Sequence, residues 1–280
     1  MELLSDCIRW VLGIAVALFL LWIFLMRCKR RLRRMPLLVQ YRYAHRGLHD
    51  LAAGIPENSL PAFRRAAEQG FGAELDVHLT RDGRLAVIHD SDLRRLCGVD
   101  GIVEEMDAAQ LSRLRLLGTE ERIPFLEEIL PLFAGGPPLL IEMKSRRNAA
   151  LLADALTAAL ADYQGDYCVE SFDPWALYVL RLRNPDCIRG QLSKHFGRDG
   201  GVNAVGGFFL GNLCFNWLSK PDFIAYRLQD RKSWALRLCR RLYGVQEFSW
   251  TVTTPEQQRQ LEEDGSVIIF EGFTPTDLHR

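Results

Sequence analysis

The sequence predicts an α/β chain in which a (β/α)8 barrel of parallel strands, the TIM architecture, follows a single N-terminal transmembrane helix. Three observations predict it. An almost unbroken apolar run occupies residues 8–26. Residues 41–280 that follow are close to the usual barrel length of about 250 residues. Within them, short apolar, β-branched runs alternate with helical patterns, which argues for parallel strands joined by helical crossovers.

The apolar run, Ile8 to Met26, carries one charge, Arg9, near its start. About 20 apolar residues span a bilayer, so the helix at about 8–26 is just long enough. Arg9 can snorkel, and Trp10 and Trp22 suit interfacial positions. A cleaved signal peptide starts with positive charge and ends in small residues. Here the leader is acidic, with Glu2 and Asp6, and Arg27, Lys29, Arg30, Arg31, Arg33 and Arg34 come afterwards. The expectation is therefore an uncleaved anchor over residues 1–34, with the bulk of the chain on the cytoplasmic side. The basic flank serves as a topology signal and is also suited to anionic lipid. Residues 35–40 read as a linker, and 41–280 as the barrel domain.

The 280 residues are 48% hydrophobic and 25% charged, with a formal net charge of zero. That balance gives no electrostatic reason to expect nucleic acid as a partner. Seven cysteines stand at long spacings without a C-x-x-C pair, which speaks against a zinc or redox motif and for reduced thiols. Nothing in the sequence bears on oligomeric state.

Nine strand candidates appear: Tyr41–Ala44, Ala73–Val77, Leu85–Ile88, Leu139–Met143, Tyr167–Ser171, Ile188–Leu192, Asp222–Tyr226, Gln246–Val252 and Ser266–Phe270. Helical patterns cover Leu60–Gln69, Ala108–Leu116, Leu126–Phe133, Asn148–Ala161, Pro174–Arg183 and Pro255–Asp264. The link between the second and third strands is too short for a parallel crossover. Asp82-Gly83 is a hairpin signal, so the third strand folds back antiparallel and eight parallel strands remain.

Catalytic groups of such barrels sit at the carboxyl ends of strands. The first strand ends in His45-Arg46-Gly47, which taken alone marks a structural histidine more readily than a catalytic one. The second carries Glu74 and Asp76 at i and i+2, on one face. Two buried carboxylates repel and lose hydration. A divalent cation removes both costs, although salt-bridged surface acids explain the pair as well. The hairpin strand ends in His89-Asp90. The next parallel strand ends in Glu142-x-Lys144, either a third carboxylate for an oxygen site suited to Mg²⁺ or Ca²⁺ beside a lysine for an anion, or a Glu–Lys pair closing a strand. The set as a whole suits phosphodiester cleavage, with cationic groups on the phosphoryl oxygens and two histidines dividing acid and base work.

His45-Arg46-Gly47, Pro56-Glu57-Asn58-Ser59, Glu74-x-Asp76, Thr80-x-Asp82-Gly83 and His89-Asp90 follow one another over about 50 residues in the order that marks a family. Ile123-Pro124-Phe125-Leu126-Glu127-Glu128, Glu142-x-Lys144, Ser171-Phe172 and Trp250-Thr251-Val252 continue it. In these runs the chain resembles the glycerophosphodiester phosphodiesterase family. The resemblance implies hydrolysis of glycerophosphodiesters, or of lysophospholipid-like substrates, to glycerol 3-phosphate and an alcohol, as in phospholipid breakdown. By position, Glu74, Asp76 and Glu142 would hold one divalent cation, Mg²⁺ or Ca²⁺. His45 and His89 would be general base and acid, and Arg46 and Lys144 would steady the phosphate. Glu57 and Asn58 would shape the substrate loop, where Asn58 also suits a helix N-cap. Trp250 would line the glycerol or alcohol side. A related phospholipase D-type enzyme and a non-catalytic membrane sensor on the same barrel are the alternatives. Thr253 and the run Phe270-Glu271-Gly272 depart from the family pattern, and bear on leaving-group preference.

His49, His78, His195 and His279 have no motif behind them, although His78 shares a face with Glu74 and Asp76. Residues 205–243 are unusually apolar. Their apolar stretches Val205–Leu210 and Leu213–Leu218 are expected to form a buried barrel helix, or part of the region to rest on the membrane near the active-site mouth through Phe208 and Phe209.

Overall fold

A computed structural model of the chain describes residues 2–29, 35–145, 148–198 and 202–276. Its nine strands are β1 (Tyr43–Ala44), β2 (Gly72–Leu79), β3 (Leu85–Val87), β4 (Leu139–Met143), β5 (Tyr167–Ser171), β6 (Arg189–Ser193), β7 (Phe223–Arg227), β8 (Gln246–Val252) and β9 (Val267–Phe270). Eight are parallel and run β1-β2-β4-β5-β6-β7-β8-β9, and β1 pairs with both β2 and β9 to close the barrel. As the short link requires, β3 lies antiparallel on β2, with Val77 opposite Val87. The turn between them has Gly83 at φ +84°, and the amide of Arg84 donates to the Thr80 hydroxyl at 2.8 Å.

Side chains alternate across each strand. Ala73, Leu75 and Val77 of β2 face the outer layer, where they meet Phe63, Leu126, Ile129 and Leu152 of the helices. Glu74 and Asp76 face inward. Inside the barrel the lower half is apolar, built from Tyr43, Leu140, Cys168, Phe223, Phe248 and Ile269. Residues 35–40, read above as a linker, instead hold the helix Met35–Val39. Its Met35 and Leu38 join this floor, and the Tyr43 hydroxyl donates to the Leu38 carbonyl at 3.0 Å. The apolar floor leaves the carboxyl ends of the strands as the polar end.

The excursion from β3 to β4 has a small core of its own, with Leu93, Leu96, Val103, Leu111 and Leu116 buried together. The helical pattern at Ala108–Leu116 shortens there to Ala108–Leu111.

The N-terminal helix runs Glu2–Leu25 rather than from residue 8, and Leu4–Leu25 is long and apolar enough to cross a bilayer. Met26, which the sequence places in the span, is instead fully buried with Leu213, Ile224, Leu236 and Cys239. Of the basic flank, Arg30, Arg31, Arg33 and Arg34 lie outside the described residues, as does His279.

The expectation of a buried helix within 205–243 is corrected in part. Leu213 and Cys214 of the second apolar stretch are buried. Helix Ala204–Gly211 buries none of its residues. It follows β6 as an addition on the rim, where no second layer of the described residues covers it.

Candidate active site

The turn after β1 puts Arg46 and Gly47 at φ +54° and +79°. A Cβ on Gly47 would come within 2.9 Å of Ala62, so only glycine lets the chain turn there against helix Leu60–Glu68. That turn aims the Arg46 amide at Glu74 Oε2, 3.0 Å away, and leaves His45 Nε2 4.0 Å from the same oxygen.

The register places Asp76 of β2 beside Glu142 of β4, and Glu142 beside Glu170 of β5. All three face inward with Glu74, and all four are buried. One oxygen each from Glu74, Asp76 and Glu142 lies within 4.8 Å of the others. Lys144 Nζ stands 2.9 Å from Asp76 and 2.8 Å from Glu142. Asn58 is not the helix cap, since Ser59 takes that place. It instead donates to Asp76 Oδ2 at 2.8 Å.

Burial and the neighbouring Asp76 and Glu142 raise Glu74 well above the carboxylate range. Burial likewise pushes Glu142 up to about 7 against the pull of Lys144. Asp76 is equally buried, yet Lys144, His89 and Arg46 hold it well below its ordinary value. The cluster therefore gathers more carboxylate than its lysine and arginine neutralise. Its donors are hard oxygens, the set that Mg²⁺ and Ca²⁺ take. Asn58 Oδ1 and Glu170 Oε2 are also buried without a hydrogen-bond partner. The residues present fit a divalent cation.

Each histidine is held by a carboxylate. His45 Nδ1 lies 2.6 Å from Glu271 Oε2, and His89 Nδ1 lies 2.5 Å from Asp90 Oδ1. The hydrogen bond from His45 draws Glu271 down to about 2. Burial lowers His89 to about 4, with Lys144 and Arg46 acting the same way against Asp76. With Nδ1 engaged by Asp90, His89 has Nε2 left for chemistry. It lines a cavity of about 510 Å³ with Glu142, Lys144, Ser171 and Phe172. Trp250 packs its ring on Phe172, 5.6 Å between centroids.

Three contributors escaped the sequence reading. Arg95 bonds Asp90 through Nε and Glu57 through both terminal nitrogens at 3.2 and 2.9 Å. Glu57 also takes Arg46 Nη1 at 2.8 Å. Arg95 thereby ties the carboxylate behind His89 to the loop behind Arg46, and no spacing in the sequence signals it. Glu271 was placed among departures bearing on the leaving group, whereas it holds His45, and His49 Nε2 lies 3.7 Å from its other oxygen. Glu170 sits at a strand end like Glu142, and the same rule finds it. His78, noted for its face, bonds Glu104 at 2.8 Å and the His89 carbonyl at 3.2 Å. It supports the backbone that carries His89.

A family model described as the glycerophosphoryl diester phosphodiesterase family matches residues 45–198. Glycerophosphodiester phosphodiesterase of Caldanaerobacter subterraneus is 32% identical over 163 residues, covering 53% of this chain and 65% of that one. The chain thus spans just under two thirds of that relative's length, and 45% of a Bacillus altitudinis relative of the same name. Glycerophosphodiester phosphodiesterase 1 of Mus musculus is 31% identical over 261 residues, 78% of this chain and 73% of its own. An Oleispira antarctica phosphodiesterase, solved with the product sn-glycerol-3-phosphate, shares the fold. Its TM-score is 0.66 at 21% identity, over 82% of this chain and 92% of that one. With more than half of its length matched by the family model, and the site motifs inside that stretch, this chain belongs to the glycerophosphoryl diester phosphodiesterase family.

Proposed function

We propose that this chain is a membrane-anchored hydrolase that cleaves glycerophosphodiesters, products of phospholipid breakdown, to sn-glycerol 3-phosphate and an alcohol with the help of Mg²⁺ or Ca²⁺. The observation that carries the reading is the meeting of three buried carboxylates with two carboxylate-held histidines at one barrel mouth. The names of the relatives and the product bound to the Oleispira protein support it.

In this reading Glu74, Asp76 and Glu142 hold the cation, which neutralises charge on the phosphoryl oxygens. Arg46 and Lys144 steady the phosphate. One of His45 and His89 takes the proton of the substrate's free glycerol hydroxyl as that oxygen attacks phosphorus in line. The other gives a proton to the departing alcohol. Water then opens the cyclic phosphate with the two roles exchanged. Glu271 and Asp90 fix the tautomer and plane of each ring. Glu57 and Asn58 hold Arg46 and Asp76 in place, and Trp250 forms an apolar wall for the glycerol or alcohol side.

The test is release of sn-glycerol 3-phosphate by the full chain in detergent. The substrates are glycerophosphocholine and glycerophosphoethanolamine, each with Mg²⁺, with Ca²⁺ and with chelator. Release that needs a cation and disappears in His45→Ala supports the reading. Release indifferent to both overturns it. Helix Glu2–Leu25 serves as the anchor, and the basic residues after it favour a barrel on the cytoplasmic side. Protease that reaches the barrel in right-side-out vesicles would refute that placement.

A further inference from the structure

We propose that helix Ala204–Gly211 rests on the bilayer that holds helix Glu2–Leu25. It borders the active-site mouth, so that the substrates are amphiphilic glycerophosphodiesters drawn from the membrane. This inference rests on the membrane anchorage proposed above.

The first observation is the helix itself. Its eight residues, AVGGFFLG, carry no charge, and none is buried. Val205 is 68% exposed and Phe208 63%. A helix that is apolar all round is buried or lies in lipid, and contiguous apolar surface on a protein marks an interaction site. The patch continues through Phe209 and Phe215, whose rings lie 6.4 Å apart, to the half-exposed Trp217.

The second observation says what covers it. The last turn of the N-terminal helix is seated beside this patch. Trp22 reaches the Cys214 thiol, Asn216 donates to the Met26 carbonyl at 3.4 Å, and the Tyr243 hydroxyl donates to the Ile23 carbonyl at 2.6 Å. Residues 4–21, which the barrel leaves uncovered, rise about 27 Å at 1.5 Å each. That matches the roughly 30 Å hydrocarbon core. Hydrocarbon therefore ends at the level of Trp22. Cys214, at that level, is three residues beyond the end of the apolar helix, which puts the helix in the interfacial plane where such helices settle.

The third observation links the patch to the chemistry. Ser193, ending β6, donates to the Leu210 carbonyl at 3.1 Å, and the Tyr226 hydroxyl of β7 donates to the Gly211 carbonyl at 3.0 Å. The helix is thus pinned to two carboxyl ends of the barrel. Phe196, beneath it, stacks edge-on against Phe172 at 6.1 Å, and Phe172 lines the cavity that holds His89 and Lys144. Ring contacts, with Lys194 Nζ over both Phe172 and Phe196, thus join the exposed patch to the site.

The test uses the full chain in phosphatidylcholine nanodiscs and hydroxyl-radical labelling. Leu182, 55% exposed, is the reference. Phe208 and Phe209 are expected to be labelled at least fivefold more slowly than their exposure relative to Leu182 implies. A chain that does not fractionate with nanodiscs sinks the anchorage and this inference together. A chain that does, with both phenylalanines labelled as their exposure implies, sinks this inference alone. A second arm measures kcat/KM of Phe208→Ser/Phe209→Ser on lysophosphatidylcholine in vesicles and on glycerophosphocholine in water. The expected result is about a tenfold loss on the first and less than twofold on the second. Equal retention, or an equal loss, overturns the proposal.

Discussion

Removing Glu271 isolates what a carboxylate behind a histidine contributes. In Glu271→Ala, His45 loses a partner held at 2.6 Å. A hydrogen bond to a charged group is worth about 1.5–3 kcal/mol when buried. Glu271 is 37% exposed while His45 is 15% exposed, so solvent screening cuts this by about half. The remaining roughly 0.8–1.5 kcal/mol corresponds to about a four- to twelvefold fall in rate. The loss should sit in kcat rather than KM, because the bond orients a proton-transfer group rather than the bound substrate. Glu271→Gln keeps an acceptor and should recover most of the activity. The assay is the initial rate of sn-glycerol 3-phosphate release, beside thermal melts that confirm an unchanged fold. An unaltered kcat in Glu271→Ala, or a change confined to KM, would refute the argument that Glu271 sets His45.

Four further outcomes follow from the same geometry. Arg95→Ala should lower kcat about tenfold by freeing Asp90 and Glu57, and Arg95→Lys should recover little, because an ammonium cannot span both carboxylates; steady-state kinetics on the two variants decides it. His89 is lowered from its ordinary 6.5 to about 4, so between those values the unfolded chain takes a proton that the folded chain refuses, and stability present above pH 6.5 is lost as pH falls toward 4. Urea melts at pH 7 and pH 5 should differ by about 2 kcal/mol more in the parent than in His89→Gln. Mg²⁺ or Ca²⁺ at a hundred times its Kd should stabilise the parent by about 2.7 kcal/mol, and a thermal-shift series should show that gain largely lost in Glu142→Gln. Gly47→Ala should cost about 2 kcal/mol or more from its left-handed φ and its contact with Ala62, and a urea midpoint unmoved from the parent would contradict it.

The barrel, the antiparallel hairpin and the carboxylate set are legible in the chain alone. Each rests on local rules: period-two alternation in strands, a two-residue turn, and the i, i+2 relation that puts Glu74 and Asp76 on one face. The partnerships come from the packing of distant segments. Arg95 serves Asp90 and Glu57, the latter 38 residues away in sequence, and Glu271 serves His45 from 226 residues away. Only barrel closure, with β1 between β2 and β9, brings such ends together. Asn58 had the residue type of a helix cap, and the left-handed turn at φ +54° redirected it to Asp76. The same limit explains helix Ala204–Gly211 and Met26. Apolar composition says that a side chain leaves water, but the neighbouring elements decide whether it leaves for the protein core, as Met26 does, or remains uncovered on the rim.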